Sequence, residues 1–305
     1  MDSDKKLARF SDVPEDIGRT IFETAAENGD GYRCALISRK VKLWVEPILY
    51  RNVTVYGNGL FARTIRDEES TKPPDFFATH VKTLLFEHTS RREDVPIIVR
   101  KCHRAWSIGF WIAEARIADE LRELVTTDLL TPTQLSVGGR LFPANQLHFS
   151  HPIFRNVTHL DVMGKDSFDW EWESLLQLKK LTHFSLDVQV NTQQNPFKQA
   201  QRILAFCPES LRVFILTEVG PGYGSWTDRG DSEIVDIARA FSNGEVDPRA
   251  ITAYTRLGGE YEYAIPAPYH ELLDEWADPS NVRCNLWTRA EDLIKRRRMK
   301  PKIIE

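Results

Sequence analysis

The chain has 305 residues, of which 42% are hydrophobic and 28% are charged, and its formal net charge at pH 7 is −4. This apolar share exceeds that of disordered chains and is enough for a sizeable core, so we expect one large domain or two ordinary ones. The near balance of charge argues against a dedicated nucleic-acid-binding protein, which normally has a basic surplus. No apolar run approaches the ~18 residues of a membrane span.

The cysteines and the N-terminus indicate the compartment. Cys34, Cys102, Cys207 and Cys284 are far apart and form no CxxC pair, which favours free thiols in a reducing environment. The N-terminal residues contain no apolar segment typical of a signal peptide. We therefore expect a cytoplasmic or nuclear protein.

The first predicted elements are short helices. Val13, Ile17 and Ile21 recur every four residues, which places them on one helical face. A second helix is predicted from about Tyr32, with apolar positions at Leu36, Ile37, Val41, Trp44 and Val45. Such a unit is too small to be stable alone. It is expected to pack on the rest of the chain, on a partner, or on both.

The order of these residues resembles an F-box. The family pattern is Leu-Pro-x-Glu, a spaced Ile, and a valine-serine-basic stretch that ends in Trp. The matching segments are Val13–Ile17, Ile21–Phe22 and Ile37–Trp44, and the following Glu46–Arg51 is similar to fungal F-box-like proteins. Val13 stands where the family usually has Leu. The resemblance depends on the ordered combination, since no single motif is specific.

The resemblance implies a partner. An F-box binds a Skp-type adaptor and through it a cullin, and the adaptor contact would involve Val13, Pro14, Ile17, Ile21, Phe22, Ile37, Val41 and Trp44. A second hypothesis is that the helices only cap a repeat fold, which such folds need. Adaptor binding requires the apolar face of Ile17, Ile21 and Trp44 to be partly exposed, whereas a cap buries it wholly.

The rest of the chain repeats a short phrase, apolar-x-x-apolar-x-apolar. Its copies begin at Tyr50, Val81, Ala105, Leu121, Val157, Leu181 and Leu211. Helix-like segments lie between most copies, and alternating short strands and helices predict an α/β solenoid. The pattern resembles the degenerate leucine-rich repeats that commonly follow an F-box. The step from Ala105 to Leu121 is too short for a strand plus a helix, so one of these two copies is doubtful.

The predicted fold class is therefore mixed α/β, an F-box-like helical unit followed by an irregular leucine-rich-repeat-like solenoid. The expected segments are 1–50 for the helical unit, 51–286 for the solenoid and 287–305 for a C-terminal capping helix with a basic tail. In that helix Trp287, Ala290 and Ile294 share a face, which is expected to close the open end of the solenoid. The run Lys295–Lys302 is a candidate nuclear localisation signal.

Strand geometry predicts a binding face for a target protein. Neighbouring strand residues point to opposite faces, so the residues between the apolar positions are expected to face the open side of the sheet. In the three clearest copies these residues are His159, Asp161, Met163, His183, Ser185, Asp187, Val213, Ile215 and Thr217. Parallel strands lie about 4.8 Å apart, so the nine residues are expected to form one continuous patch. A surface that is polar on one side and apolar on the other suits a protein or peptide ligand.

His159 and His183 are predicted neighbours in this patch. A metal or catalytic pair, a ligand-contacting pair and ordinary surface histidines all stay open, with Asp161 and Asp187 close by. The chain contains no GxSxG or HExxH pattern. We therefore expect a non-catalytic protein without a cofactor and without a membrane or nucleic-acid partner.

The function that the F-box resemblance implies is substrate recognition in a cullin-type ubiquitin ligase, with an unidentified target protein held by the repeats. The alternative is a non-catalytic, leucine-rich-repeat-like interaction scaffold whose N-terminal helices only cap the solenoid.

Overall fold

The computed structural model describes residues 13–67, 72–113, 116–142, 147–163, 170–188, 196–218, 232–254, 264–279 and 285–299. Three helices form the N-terminal unit: α1 (Glu15–Ala25), α2 (Gly31–Ala35) and α3 (Arg39–Leu49), with a π-helical segment at Ala26–Asp30. The strands are β1 (Asn52–Val55), β2 (Thr83–Phe86), β3 (Ser107–Phe110), β4 (Gln134–Gly138), β5 (His159–Met163), β6 (His183–Val188), β7 (Val213–Glu218), β8 (Ala250–Tyr254) and β9 (Ala264–Pro266).

Most of the strands are separated by helices or short 3-10 segments. The helices are α4 (Leu60–Arg66), α5 (Phe76–His80), α6 (Val95–Lys101), α7 (Asp119–Val125), α8 (Pro196–Leu204) and α9 (Ser232–Asn243), followed after the last strand by α10 (Tyr269–Ala277) and α11 (Leu286–Met299). The 3-10 segments are Gly139–Leu141, Pro152–Phe154 and Trp172–Gln177. None of the described helices is both long and apolar enough to cross a membrane.

The nine strands form one parallel sheet whose spatial order follows the chain order. Every strand after β1 pairs in parallel with the strand before it. Parallel neighbours need a crossover between them, which the intervening helices and 3-10 segments supply. The predicted mixed α/β class is confirmed.

The apolar positions of the repeated phrase face the main core. Leu160 of β5 pairs with Phe184 of β6, which pairs with Phe214 of β7, and all three are fully buried. These side chains pack with the flanking helices and 3-10 segments in one continuous cluster. The same cluster contains Cys102 and Cys207, which are free thiols like Cys34, as predicted; Cys284 lies outside the described residues.

One copy of the phrase is wrong, and some strands were not predicted. Leu121 and Leu124 lie in α7, because the spacing apolar-x-x-apolar also marks one face of a helix. The fourth strand is β4, where Pro132 occupies the first apolar position ahead of Leu135 and Val137. The repeated phrase did not predict β8 and β9 either. β8 is buried on both faces, so its sequence shows no alternation of apolar and polar residues.

The predicted second helix is two helices. α2 ends at Ala35, and α3 begins after Ser38, whose Oγ accepts a hydrogen bond from the backbone N–H of Val41 at 3.2 Å. A serine that caps a helix in this way fixes its first turn. The break turns Leu36 and Ile37 outward, and both side chains are exposed.

A cluster of aromatic rings connects the N-terminal unit to helix α5. The ring of Tyr50, at the end of α3, makes edge-to-face contacts with Phe76 and Phe77 of α5, at 5.6 and 5.4 Å between centroids. The Lys72 ammonium lies over the Tyr50 ring and 3.0 Å from the largely buried Glu46 carboxylate. Packed rings and a shielded ion pair hold the unit against the first repeats.

Candidate functional site

The N-terminal unit has a small core of its own. Val41 and Val45 of α3 pack against Ala26 and Cys34, and Phe22 and Trp44 lie at the edge of this cluster. The rings of Phe22 and Trp44 are 6.4 Å apart. These contacts hold the helices together and decide which of their apolar side chains are left for a partner.

Glycines allow the helices of this unit to approach closely. A Cβ added at Gly31 would lie 2.6 Å from Cδ2 of Leu49, so α2 and α3 are in close contact there and a larger residue would displace the Leu49 side chain. Gly29 has a φ of 97°, in the left-handed region, and turns the chain at the end of α1.

The unit leaves several large apolar side chains in solvent. Ile17 and Ile21 of α1 are each 50% exposed and Ile37 is 61% exposed. We call this set the N-terminal apolar surface; its members are Ile17, Ile21, Tyr32, Leu36, Ile37, Leu43 and Leu49. Ile17 and Ile21 are four residues apart on α1 and so share one helical face, and exposed apolar side chains that lie together are typical of a protein-binding surface.

The structure places the predicted adaptor residues in three different environments. Pro14, Ile17, Ile21 and Ile37 are exposed. Three others, Val13, Phe22 and Trp44, are half-buried. Val41 is only 4% exposed and belongs to the core of the unit, so its prediction as a contact residue is wrong.

Four members of the N-terminal apolar surface were not predicted as contacts: Tyr32, Leu36, Leu43 and Leu49. The periodicity placed Leu36 in one continuous helix with Val41 and Val45, and the break before α3 interrupts that helix. Ser38 is a good helix N-cap residue, and that signal was available in the sequence.

The second face of the sheet, opposite the main core, has the predicted register. His159 pairs with His183, which in turn pairs with Val213. On the next rung, Asp161 pairs with Ser185, which pairs with Ile215. The third rung joins Met163, Asp187 and Thr217. The nine residues of the predicted target patch therefore lie side by side.

The prediction that this face is open is wrong. Asp161, His183, Ser185, Val213, Ile215 and Thr217 are buried, and only His159, Met163 and Asp187 are partly exposed. α11 covers the apolar side of the patch, where Trp287, Ala290 and Ile294 pack with Val213 and Ile215 in a second hydrophobic cluster. α11 was expected to close the end of the sheet, and instead it packs on this face.

The histidine pair lies under α11. The imidazoles of His159 and His183 are stacked with centroids 4.2 Å apart and an interplanar angle of 6°. The Trp287 indole packs edge-on against both rings, and Nε2 of His183 is 3.0 Å from Oε1 of Glu291. Burial lowers the pKa of each histidine to about 4; the neighbouring His183 adds to the shift at His159 and Arg212 adds to the shift at His183.

A buried polar ladder crosses the next rung. Trp111 Nε1 donates to Ser136 Oγ at 2.8 Å, and Ser136 Oγ donates to Asp161 Oδ2 at 2.6 Å. Burial raises the pKa of Asp161 to about 6, while the serine hydroxyls oppose the shift. Burial and the charge of Asp161 also raise the pKa of Asp187. Burial thus favours protonated carboxyls here, and the hydrogen bonds of the ladder satisfy polar groups that water does not reach.

Two comparisons with known proteins found no match. No family model matches the chain, and no curated protein matches it either. Over the described ranges, no three His, Cys, Asp or Glu side chains are placed to hold a metal ion. The feature most typical of a binding site is thus the N-terminal apolar surface.

Proposed function

We propose that this protein is a substrate-recognition subunit of a cullin-type ubiquitin ligase and that the N-terminal apolar surface binds a Skp-type adaptor. The observation that supports this is the exposure of Ile17, Ile21 and Ile37 on a unit whose internal core is formed by other residues. Covering these exposed apolar side chains with a partner is favourable, because it removes their surface from water.

The cap hypothesis predicts a different degree of burial for the same residues. A cap would bury Ile17 and Ile21 against the repeats, whereas half of each side chain faces solvent. The unit is anchored to the body of the chain near the C-terminal end of α3, where Tyr50 contacts α5 and Glu46 pairs with Lys72. Anchoring through residues other than the exposed isoleucines favours adaptor binding over a cap.

In this proposal the chain acts by proximity and contributes no bond chemistry of its own. The adaptor and cullin would hold the chain near a charged ubiquitin carrier, and the leucine-rich-repeat-like body would hold the target there, which raises the effective concentration of its lysines. The part of the predicted target patch that is accessible for this purpose consists of His159, Met163 and Asp187.

We place the protein in the cytoplasm or the nucleus, where such ligases work. One residue of the candidate nuclear signal has a structural role, because the Arg297 guanidinium donates to the carbonyl oxygens of Ser242, Pro248 and Ala250. A receptor that reads the basic run would therefore use its exposed neighbours Lys295, Arg296 and Arg298. Residues 300–302 of the run lie outside the described residues.

The test is co-expression with a Skp-type adaptor followed by size-exclusion chromatography. We expect a stable one-to-one complex with the wild-type chain and none with the double variant Ile17→Asp, Ile21→Asp. The control is Leu60→Asp, which places one such charge on a leucine of α4 that is 54% exposed and lies outside the N-terminal unit. This variant should bind like the wild type.

Circular dichroism of the double variant separates binding from folding. An unchanged spectrum with lost binding supports the proposal, because the substituted side chains are on the surface. A wild-type chain that elutes as a monomer beside the adaptor would contradict it and would favour the scaffold hypothesis.

A further inference from the structure

We infer that the chain binds an acidic peptide segment of its target at the carboxyl ends of β1, β2 and β3. As a statement about the target this rests on the proposed function, although adaptor binding plays no part in it. Most of the predicted target patch is buried, so a target needs another exposed surface. We call the candidate the strand-end surface; its members are Tyr56, His88, Arg91, Arg92, Arg116 and Tyr269.

The sheet brings the members of this surface together. Val55 pairs with Phe86, which pairs with Phe110, and all three face the main core. The residues that follow in β1 and β3, Tyr56 and Trp111, therefore lie on the opposite face at the same edge of the sheet. α10 packs over β1 and β2 on this face and begins at Tyr269. In open α/β sheets, ligands bind outside the carboxyl ends of the strands.

Hydrogen bonds join the segments that follow the three strands. The backbone N–H of Gly57 donates to Thr89 Oγ1 at 3.0 Å. Arg91 Nε donates to the carbonyl oxygen of Gly57 at 2.8 Å. The Arg116 guanidinium donates to the carbonyl oxygens of Thr89 and Ser90. Backbone acceptors thus hold both guanidinium groups, and an arginine that is already fixed loses less conformational entropy when it binds a ligand.

The arginines of the strand-end surface carry a surplus of positive charge. Within the described ranges, no carboxylate lies within ion-pair distance of Arg91 or Arg116. Arg92 is exposed beside them and adds a third positive charge, against one exposed carboxylate at Glu93. Guanidinium groups bind carboxylates through strong charge-assisted hydrogen bonds. The surplus therefore favours a segment that contains Asp or Glu.

The nearby buried carboxylates have other partners. Asp94 lies 2.7 Å from the Arg66 guanidinium. Glu87 accepts a hydrogen bond from the backbone N–H of Thr89 at 2.9 Å and lies beside the ring of His88. Both carboxylates are thus engaged by groups other than the three arginines.

The same surface exposes aromatic rings. Tyr56 is 47% exposed and Tyr269 is 49% exposed. The Tyr269 ring packs on Trp111 at 5.6 Å between centroids, and Trp111 packs on the buried Trp276 at 6.4 Å. Burial and the nearby Tyr56 raise the pKa of Tyr269, which fits two neighbouring phenols. Tyr, Trp and Arg are the residues most enriched among those that dominate binding energy at protein interfaces.

An acidic peptide fits this surface better than a small molecule or a nucleic acid. Small-molecule sites are enclosed, whereas about half of each tyrosine side chain faces solvent. The formal net charge of −4 repels a long polyanion, but a short acidic segment meets chiefly the local positive surplus. An apolar residue of the segment would pack on Tyr56 and Tyr269 while its acidic neighbours reach the arginines.

Selection of a phage-displayed library of random peptides on the immobilised full chain, without an adaptor, tests the inference. We expect the selected peptides to be enriched in Asp and Glu around an apolar or aromatic residue. Fluorescence anisotropy then measures the affinity of the best selected peptide, which added salt should weaken. Because no adaptor is present, failure of this experiment and failure of adaptor binding are separate results.

Substitutions locate the binding on the strand-end surface. The double variant Arg91→Gln, Arg116→Gln should weaken binding of the selected peptide at least about tenfold, because charge-assisted hydrogen bonds are lost. The matched control is Arg104→Gln, which alters an exposed arginine before β3, at the opposite edge of the sheet, and should change nothing. Tyr56→Ala should weaken binding at least about fivefold. Tyr32→Ala, on the N-terminal apolar surface, should bind the peptide like the wild type.

The tyrosine variant keeps the test decisive if the double arginine variant does not fold, because the Tyr56 side chain makes none of the hydrogen bonds that join the segments. A library without binders above background, selected peptides without an acidic surplus, or an affinity that Tyr56→Ala leaves unchanged would overturn the inference. Tighter binding of a single-stranded oligothymidylate than of the selected peptide, lost in the arginine variant, would also overturn it and would assign the surface to nucleic acid.

Discussion

The N-terminal apolar surface and the second face of the sheet differ in what covers them. Ile17 and Ile21 are half-exposed, whereas Val213 and Ile215 on the sheet are fully buried under α11. Both regions looked like ligand surfaces in the sequence, and of the two only the N-terminal apolar surface is left open by the residues that the structure describes. The comparison teaches that periodicity identifies the face of an element, but another segment of the chain decides whether that face is free.

The strongest test of this contrast is Trp287→Ala. The indole is 6% exposed and packs over the histidine pair and the apolar side of the second face. We expect a loss of about 3–5 kcal/mol in the free energy of unfolding, the usual cost of truncating a buried Trp. Denaturant unfolding measures it, with Met299→Ala, 68% exposed on the same helix, as the control that changes little. A small loss would mean that α11 is not the cover.

The next largest effect concerns Asp161. Its pKa of about 6 in the folded chain lies above the ordinary value of 3.8. The stability that it contributes is therefore present below the ordinary pKa and lost as the pH rises through about 6. Asp161→Asn removes this loss, so the variant should gain about 2–3 kcal/mol relative to the wild type between pH 4 and pH 7. The measurement is urea unfolding at several pH values, and parallel curves for the two proteins would contradict the assignment.

Two adjacent glycines test the packing at the end of β4. A Cβ at Gly139 would lie on the Trp170 ring, whereas the nearest atom to a Cβ at Gly138 is 3.9 Å away. Gly139→Ala should cost about 1–3 kcal/mol through overpacking, and Gly138→Ala should cost little. Thermal unfolding of the two variants compares them directly. Equal costs would show that Trp170 does not pack on Gly139.

The smallest expected effect is on the open surface. Ile21→Ala should change the free energy of unfolding by less than about 1 kcal/mol, because half of the side chain is already in water. Val45→Ala in the same unit should cost about 2 kcal/mol, since Val45 is fully buried. Chemical denaturation of both variants sharpens the comparison within a single unit. A large loss for Ile21→Ala would indicate that the surface is part of the fold.

The sequence predicted the sheet well where the phrase was clear. Leu160, Phe184 and Phe214 occupy equivalent rungs, as their spacing required. The wrong predictions have local causes. Leu121 and Leu124 fit one face of a helix as well as a strand. β4 was not recognised because Pro132 stands at the first apolar position of its phrase. Such ambiguities come from short apolar runs, which both kinds of element share.

The candidate sites were predicted less completely. The alternation of strand residues placed His159 beside His183, but nothing local indicated that Trp287, far along the chain, would cover them. In the N-terminal unit, Ile17 and Ile21 were assigned correctly to an apolar face, while Val41 went to the wrong side. Contacts between distant segments decide such cases, and a single sequence does not contain them.

The central claim, adaptor binding at the N-terminal apolar surface, is tested most directly by hydrogen–deuterium exchange of the full chain with and without a Skp-type adaptor. We expect added protection in α1, α2 and α3, and none in α11 at neutral pH. Protection that appears on the sheet or on α11 instead, or no change in any region at saturating adaptor, would contradict the claim.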